Sequence, residues 1–456
     1  MESKFHSTNP YTNQDLETYT YHSQSDVEKI INSAHDCWKT YSKSSFEERA
    51  SLMRAAAKIL ENNKNKYAET ITQEMGKLYT SAVAEIEKCV WVCNYYADKA
   101  ADFLSDELVE TDASKSYISY QPLGIVLAVM PWNYPFWQVF RYAAPTLMAG
   151  NTCILKHASN VPGTAMIIEE VFREAGFPQN AFKSLLVKSD SVEKIIEHKY
   201  IKAITLTGSE YAGSKVAEAS GRNLKKTVLE LGGSDPYLIL ADADINLAVD
   251  MCVKSRLLNT GQSCIGAKRF IVDSKVYDDF LAGFYDKMSK SIVGDPMTNV
   301  AVGPMARHDL RDEVHEQVLQ SINQGAKLAL GGKIPDHEGA FYPPTILTNV
   351  SPDMPAYDDE IFGPVASVIK AKDESDAIRI ANDSKFGLGA AIFSKDRDRA
   401  ELIARNDLQA GCCFVNQYVK SDPRLPFGGI NKSGYGRELS YYGIREFTNV
   451  KTVYVA

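Results

Sequence analysis

The sequence has little of what marks membrane, secreted or nucleic-acid-binding proteins. Its longest apolar run, around residues 124–130, is far shorter than the roughly 20 residues that span a bilayer. The first eight residues contain neither an apolar segment nor a cleavage site, so they do not resemble a signal peptide. No basic run occurs, and the net charge of −8 argues against the basic face that nucleic acids require. We therefore expect no membrane partner and no nucleic-acid partner.

Cysteine is also scarce. Eight cysteines in 456 residues are too few for a disulfide scaffold. Cys89 and Cys93 are four residues apart in a helical pattern, but no second pair of ligands lies nearby, so we expect no metal site. This cysteine usage, with no signal peptide, predicts a location in the reducing cytoplasm.

The overall composition, 45% apolar and 24% charged, is that of a globular protein, and the length predicts two or three domains. Residues 25–107 read as amphipathic helices. Two of these helices are predicted to begin at capping boxes, in Ser25–Glu28 and Ser45–Glu48.

From about residue 117 onward, short apolar runs alternate with helical patterns. The run at 124–130 is almost wholly apolar, as expected for a strand buried on both faces. The alternation predicts an α/β fold with a parallel, doubly wound sheet, and a second alternating region covers about 267–416. The last stretch, 447–455, reads as a terminal strand.

Polar motifs follow four of the predicted strands. They are Trp132-Asn133, Lys156, Thr207-Gly208-Ser209 and Glu230. Ligands of open parallel sheets bind at the carboxyl ends of the strands, so these residues are predicted to share one cleft.

A single thiol, Cys264, lies between Gly261 and Gly266, where the backbone is free to approach a substrate closely. A thiolate nucleophile needs a base, and Glu230, which precedes a glycine pair, is a candidate. The two residues predict covalent catalysis on an electrophilic carbon. Taken alone, Cys264 is also compatible with an inert, buried cysteine.

Seven motifs in register resemble those of the aldehyde dehydrogenase superfamily, across essentially the whole chain. The motifs are Trp132-Asn133, Lys156, Thr207-Gly208-Ser209, Glu230-Leu231-Gly232-Gly233, Gly261-Gln262-Ser263-Cys264, Glu360–Pro364 and Pro426–Gly429. The resemblance implies a Rossmann-type cofactor domain formed by 1–111 and 122–232, and an α/β catalytic domain at 233–430. It also implies a small β oligomerisation element, formed by 112–121 and 440–456, in a homodimer or homotetramer.

The same resemblance implies the catalytic roles. Cys264 attacks the aldehyde carbon, and the Asn133 amide with the Cys264 N–H group stabilises the oxyanion. Glu230 activates the water that hydrolyses the resulting thioester. From the residues alone, a turn residue is the favoured interpretation of Asn133, which stands between two prolines; Glu230 is also compatible with an ion-pair partner, although its sequence context is unusual for one.

No Gly-x-Gly-x-x-Gly motif occurs in the first α/β region. The resemblance instead implies a dinucleotide whose pyrophosphate lies over the helix that Gly208-Ser209 opens. The implied cofactor residues are Trp132, Lys156, Ser159, Gly208, Ser209, Leu231, Glu360 and Phe362. Many NAD-specific relatives carry a glutamate where Ser159 stands, so we expect NADP or NAD, with a preference for NADP. Alternatively, Ser159 caps the helix that begins near Pro162.

Arg141 indicates the substrate. In succinate-semialdehyde dehydrogenases this position holds an arginine that binds the substrate carboxylate, and the loop with Ser421 and Arg424 resembles that of the bacterial short forms. A second arginine six residues before the cysteine is replaced here by Leu258. The predicted reaction is the oxidation of succinate semialdehyde, a small aldehyde that carries a carboxylate, to succinate.

Several alternatives stay open. The substrate could instead be glutarate semialdehyde or an aliphatic aldehyde, Arg141 could be a structural arginine, and the chain could be a non-catalytic derivative of the fold. Acyl transfer to coenzyme A is disfavoured because relatives with that activity lack the glutamate found here at position 230.

Overall fold

The first quarter of the chain is mainly helical, as its amphipathic pattern predicts. The computed structural model describes residues 3–456. The elements of this part are β1 (Lys4–Thr8), β2 (Asp15–Thr20), α1 (Gln24–Tyr41), α2 (Phe46–Met75), α3 (Tyr79–Phe103), β3 (Glu107–Leu108) and β4 (Lys115–Pro122). The hairpin of β1 and β2 precedes the helices and was not predicted.

The capping boxes of α1 and α2 differ in how well the sequence located them. Ser45 caps α2 as predicted, since its hydroxyl accepts from the Glu48 N–H group at 3.1 Å. The box predicted at Ser25 is wrong: Ser23 caps α1, with Asp26 in the reciprocal position. The shorter Asp26 side chain reaches the Ser23 N–H group at 3.1 Å, so the helix begins two residues earlier than the Ser-x-x-Glu pattern indicates.

Strands and helices then alternate. The elements are β5 (Ile125–Met130), α4 (Trp137–Met148), β6 (Thr152–His157), α5 (Pro162–Glu174), β7 (Phe182–Ser184), α6 (Val192–Glu197), β8 (Ile201–Thr207), α7 (Glu210–Arg222) and β9 (Lys226–Glu230). All neighbouring pairs among these strands are parallel. Strand β6 pairs with one edge of β5, and β8 pairs with the other edge. The strand order of the sheet therefore reverses beside β5, which is where doubly wound sheets bind ligands.

A second alternating region follows. Its elements are β10 (Pro236–Ile239), α8 (Ile245–Leu257), β11 (Arg269–Asp273), α9 (Tyr277–Ser289), α10 (His308–Asn323), β12 (Lys327–Leu330), β13 (Thr345–Thr348), α11 (Pro355–Asp358), β14 (Val365–Ala371), α12 (Glu374–Asn382), β15 (Gly389–Phe393), α13 (Arg397–Asn406) and β16 (Cys412–Val415). They form a seven-stranded sheet in the order β12-β13-β14-β11-β10-β15-β16, parallel except for β12.

The chain ends with β17 (Gly434–Tyr435), α14 (Ser440–Glu446) and β18 (Thr448–Val455). The short strand β17 returns to the first sheet and pairs antiparallel with β9, which gives the order β17-β9-β8-β5-β6-β7. The predicted terminal strand, β18, is confirmed, and it pairs along its length with β4 in a three-stranded sheet with β3. The domain boundaries stay a prediction, and β17 falls outside every predicted segment.

Apolar side chains cover both faces of each large sheet. Along β5, Val126 and Ala128 join one core cluster, while Ile125 and Leu127 join the cluster on the opposite face. A strand buried on both faces reads as a continuous apolar run, which explains why β5 was recognisable in the sequence. None of the helices in the described part of the chain has the length and apolar character of a bilayer-spanning segment.

Two buried glutamates fix the helices that flank the first sheet. Glu85 on α3 accepts hydrogen bonds from the Phe136 and Trp137 N–H groups, both at 2.9 Å, at the start of α4. Glu74 on α2 accepts from the Gly163 and Thr164 N–H groups at the start of α5. Carboxylates stabilise helix N-termini because they satisfy free N–H groups and oppose the helix dipole.

Candidate active site

The carboxyl ends of the parallel strands carry the predicted polar residues. Trp132 and Asn133 follow β5, Lys156 is the second-to-last residue of β6, and Glu230 is the final residue of β9. Gly208 and Ser209 lie between β8 and α7. Since adjacent parallel strands end at one edge of a sheet, these residues lie along one edge, as the sequence predicts.

The loop that carries Cys264 has a tightly folded backbone. Asn259 and Thr260 have φ angles of 54° and 56°, a left-handed conformation that costs energy in residues other than glycine. Gly261 follows with φ 73°, and a Cβ atom there would meet the Gly363 carbonyl oxygen at 2.2 Å. Glycine is therefore required at 261 by the neighbouring loop, whereas the sequence had indicated a requirement of the substrate.

Hydrogen bonds hold this loop against β5. The Asn133 side-chain amide donates to the Gln262 carbonyl at 3.1 Å, and Asn259 donates to the Asn133 carbonyl at 2.8 Å. From the other side, the Lys268 ammonium donates to the carbonyl oxygens of Ser263 and Cys264, at 2.9 and 2.6 Å. Asn133 thus bonds to the thiol loop itself, which is more than a turn residue needs.

Cys264 lines a cavity of about 470 Å³. Burial raises the pKa of its thiol to about 12, although the positive charges of Lys268 and Arg141 oppose the rise. A thiol with this pKa requires a base to become a nucleophile near neutral pH. The Cys264 N–H group donates to no other group of residues 3–456, so it is available to a developing oxyanion.

Glu230 is buried, and neither of its carboxylate oxygens has a hydrogen-bond partner among the described residues. Burial raises its pKa well above the usual range, and the nearby Glu438 carboxylate raises it further. Space for the side chain depends on Gly428, where a Cβ atom would lie 2.7 Å from Glu230 Oε1. The glycine pair of the Pro426–Gly429 motif therefore accommodates the candidate base.

Arg141 lies on α4 and lines the same cavity as Cys264. Its guanidinium forms a buried ion pair with Glu438, and Nη2 donates to the Thr207 hydroxyl at 3.2 Å. This ion pair supports in part the alternative that Arg141 is a structural arginine, because the Glu438 carboxylate already neutralises its charge. Nη1 makes no hydrogen bond to residues 3–456, so one nitrogen can still bind a ligand in the cavity.

Residues of α3 and of the loop after β16 also line this cavity, and the part that they line is called its basic end. Ser421 accepts a hydrogen bond from the Lys88 ammonium at 2.7 Å. Arg424 lies at the rim, with its guanidinium bound to both carboxylate oxygens of Asp422 at 2.9 and 2.7 Å. Leu258, at the position of the missing second arginine, presents an apolar side chain to this cavity.

A second cavity, of about 560 Å³, lies between α6 and α7 and is lined by Lys156 and by Val192, Tyr211 and Val216. Lys156 is buried, has no carboxylate within ion-pair distance in residues 3–456, and burial lowers its pKa. Ser209 caps α7, with its hydroxyl accepting from the Ala212 N–H group. An unpaired cation beside a helix N-terminus suits a pyrophosphate-containing ligand.

The remaining predicted cofactor residues are distributed around this edge. Trp132 and Phe362 meet edge to face, with ring centres 5.9 Å apart, and Leu231 packs against Gly213 of α7. Glu360 bonds to the Gly233 N–H group and to the Lys268 ammonium, both at 3.1 Å. It therefore joins the glycine pair after Glu230 to the thiol loop.

Ser159 is exposed and lies on a different cavity, of about 400 Å³, next to the β1–β2 hairpin. The alternative that Ser159 caps α5 is wrong, because Val161 occupies the cap position without a side-chain bond. The N–H groups at that helix end are bonded to Glu74 instead.

These arrangements match a known family. The sequence model of the aldehyde dehydrogenase family matches residues 1–453. The chain belongs to the aldehyde dehydrogenase family. The predicted family and fold are thus confirmed, and solved structures of aldehyde dehydrogenases superpose on nearly the whole chain.

Three relatives of this aldehyde dehydrogenase indicate its subgroup. The probable succinate-semialdehyde dehydrogenase (NADP(+)) of Synechocystis sp. is 47% identical over 98% of this chain and 99% of its own. Succinate-semialdehyde dehydrogenase (NADP(+)) 1 of Mycobacterium tuberculosis is 46% identical over 98% of this chain and 99% of its own. The crystal structure of succinic semialdehyde dehydrogenase from Streptococcus pyogenes with NADP+ gives a TM-score of 0.97 at 40% identity, over 99% of each chain.

Sequence reasoning missed three charged residues of this aldehyde dehydrogenase. Glu438 is the partner of Arg141, Lys268 holds the thiol loop, and Lys88 reaches into the substrate cavity. Glu438 stands ten residues after Gly428 in a conspicuous glycine-rich segment, which was a usable signal. Lys88 offered none, because a lysine on an amphipathic helix ordinarily faces water. Within residues 3–456, no three histidine, cysteine or acidic side chains are grouped as metal ligands.

Proposed function

We propose that this enzyme oxidises succinate semialdehyde to succinate with NADP. The carrying observation is a single cavity lined both by a thiol and by basic side chains, which suits an aldehyde with a distal carboxylate. The names of the Synechocystis and Mycobacterium relatives support this substrate. An aliphatic aldehyde would leave the basic end of the cavity unused.

The chain's own residues account for the acyl chemistry. Glu230 accepts the Cys264 proton, and the thiolate sulfur bonds to the aldehyde carbon to give a thiohemiacetal. The Cys264 N–H group and the second hydrogen of the Asn133 amide stabilise its oxyanion. The nicotinamide ring, when bound, accepts the hydride.

A thioester on Cys264 then remains to be hydrolysed. Glu230 first releases the thiol proton to solvent. It then takes a proton from water, and the resulting hydroxide attacks the thioester carbon. The C–S bond breaks, the Cys264 thiolate takes up the proton held by Glu230, and the acid product loses its own proton and leaves as a carboxylate. The raised pKa of Glu230 favours this role, because a carboxylate with a high pKa is a stronger base.

The residues around α7 fit a dinucleotide. Lys156 would hold the adenosine ribose and Ser209 with Gly208 the pyrophosphate, while Glu360 and Phe362 would hold the nicotinamide riboside, with Trp132 and Leu231 beside them. Ser159 introduces no carboxylate that would repel a 2′-phosphate, and the S. pyogenes relative was solved with NADP+. We therefore assign NADP as the preferred cofactor, with NAD as the alternative.

For the assembly we propose a homodimer or homotetramer through the three-stranded sheet. Its outer strand, β18, has one free edge and exposes Val450, Tyr454 and Val455. An exposed apolar edge strand is a favourable site for pairing with a second copy. The molar mass by sedimentation velocity tests this, and a monomer at micromolar concentration would contradict it. A cytoplasmic location stays a prediction from the composition.

A panel of aldehydes tests the proposed reaction. Succinate semialdehyde, glutarate semialdehyde and butanal are each assayed with NADP and NAD by the absorbance of the reduced nicotinamide. We expect kcat/KM for succinate semialdehyde to exceed that for butanal about tenfold to a hundredfold, which is the value of one charge-assisted hydrogen bond. Equal values for these two aldehydes would refute the assignment of an acid-bearing substrate.

A further inference from the structure

Lys88 is a basic residue of the substrate cavity that none of the roles above includes. It lies on α3, and its ammonium donates to the Ser421 hydroxyl at 2.7 Å. The same ammonium lies 4.2 Å from the centre of the Trp137 ring. Both contacts fix the charged group in the cavity that Leu258 also lines.

Three other cations around this cavity are neutralised by acidic side chains. Lys77 pairs with Glu85, Arg141 pairs with Glu438, and Arg424 pairs with Asp422. In residues 3–456, Lys88 makes no salt bridge. Lys420 also lines the cavity without a salt bridge in this part of the chain, but it is exposed to solvent. Lys88 is thus the partly buried cation whose charge the chain leaves uncompensated.

An uncompensated ammonium in this position has unused binding capacity. An ammonium has three N–H donors, and Ser421 accepts from only one of them. The positive charge of Arg141 repels that of Lys88 across the cavity. A carboxylate bound between them would accept the free donors and remove the repulsion.

We propose that Lys88, positioned by Ser421, binds the distal carboxylate of the aldehyde substrate together with Arg141. It supplies the second cation that is absent at Leu258, from a different helix of the fold. This inference rests on the proposed function, and it assigns Lys88 to substrate selection with no part in the chemistry at Cys264.

Titration distinguishes Lys88 from the arginines. Burial, together with a smaller contribution from the positive charge of Arg141, lowers the pKa of Lys88 to about 8, while Cys89, Glu85 and Asp422 act in the opposite direction. Of these acids, Glu85 is paired with Lys77 and Asp422 with Arg424. The ammonium is charged below about pH 8 and neutral above it, so attraction for a carboxylate falls as pH rises through that value.

The wild-type enzyme provides the first test. We measure kcat/KM for succinate semialdehyde and for butanal between pH 6.5 and 9.5 and take their ratio, in which the ionisation of Cys264 and Glu230 cancels. The kcat/KM ratio reports groups of the free enzyme. We expect it to fall about tenfold as pH rises through about 8. A ratio that stays constant over this range would overturn the assignment.

Three variants provide the second test. Lys88→Met should raise KM for succinate semialdehyde about tenfold to a hundredfold and change KM for butanal by less than about threefold. Lys88→Arg keeps a charge that does not titrate, so its substrate ratio should stay constant with pH. Lys99→Met, on an exposed position of the same helix, is the matched control and should behave as wild type.

The outcomes distinguish failure of the proposed function from failure of the role assigned to Lys88. If wild-type enzyme at pH 7 does not prefer succinate semialdehyde to butanal, the proposed function fails. If it does, and Lys88→Met keeps the full preference, only the role of Lys88 fails. Retained butanal turnover shows that Lys88→Met is folded. If that variant does not fold, the wild-type pH profile and the Lys88→Arg variant test the role of Lys88.

Discussion

Glu230 and Lys88 are ionisable groups of opposite sign, and neither has an ionic partner in the described chain. Beside the thiol loop, the oxygens of Glu230 have no hydrogen-bond partner, and burial raises the pKa of the carboxyl. At the basic end, Lys88 bonds only to a neutral hydroxyl, and burial lowers its pKa to about 8. In both cases burial disfavours the charged form.

Glu230 and Lys88 differ in role: the first takes part in the reaction, and the second selects the substrate. Glu230 acts on protons of the thiol and of water, which every aldehyde substrate requires. Lys88 acts on a group that only acid-bearing aldehydes possess. Substitutions of Cys264 or Glu230 should therefore reduce the turnover of all aldehydes alike. Substitutions at the basic end should weaken binding of acid-bearing aldehydes more than binding of uncharged ones.

Replacement of the nucleophile should have the largest effect. Cys264→Ala removes the covalent step, and we expect oxidation of succinate semialdehyde and of butanal to fall by at least about 10⁴-fold. NADP binding, followed by protein fluorescence, should be retained. Cys37→Ala, a partly buried cysteine on α1, serves as the control. Turnover by Cys264→Ala close to the wild-type rate would end the proposed mechanism.

Removal of the base should have the next largest effect. Glu230→Gln keeps the shape of the side chain but cannot accept a proton, so steady-state turnover should fall about 10²- to 10⁴-fold with both aldehydes. Stopped-flow absorbance should show a slow first turnover as well, because Glu230 also deprotonates the thiol. A rapid first turnover per active site before the slow phase would restrict Glu230 to hydrolysis of the thioester; unchanged steady-state turnover would contradict both roles.

The smallest expected effect concerns Arg141. Arg141→Ala should raise KM for succinate semialdehyde about tenfold to a hundredfold, and KM for butanal much less. The variant also leaves Glu438 buried and unpaired, at a cost of about 3–5 kcal/mol in the free energy of unfolding. Arg141→Met combined with Glu438→Gln removes both charges and controls for that loss, as measured by urea denaturation. Equal changes in KM for the two aldehydes would show that Arg141 does not select for charge.

The sequence predicted which strand ends and loops carry the candidate catalytic residues. Cys264, Glu230 and Asn133 lie in short motifs whose spacing is recognisable, and the strands that carry them are continuous apolar runs. The helix start at Ser209 was equally recognisable, because a capping serine follows a strand end. Local patterns of this kind depend on residues that are close together in the chain.

The basic end of the cavity was less accessible to prediction. Arg141 and Glu438 are nearly 300 residues apart, so their pairing has no local signature. Lys88 and Ser421 meet only because α3 packs beside the loop after β16. The strand β17 has two residues and no apolar alternation, so its pairing with β9 could not be expected either. All of these depend on tertiary packing.

Strand β17 lies near the C-terminal end of the sequence, and this affects when the active site can form during synthesis. Translation proceeds from the N-terminus, so Gly434 is added roughly 200 residues after Glu230, the residue it pairs with in the finished sheet. Glu438, which supports Arg141, is made later still. A nascent chain on the ribosome can thus contain its thiol loop and both large sheets in near-complete form while its base still lacks a neighbouring strand. The reaction centre is complete only after β17 and Glu438 have been added.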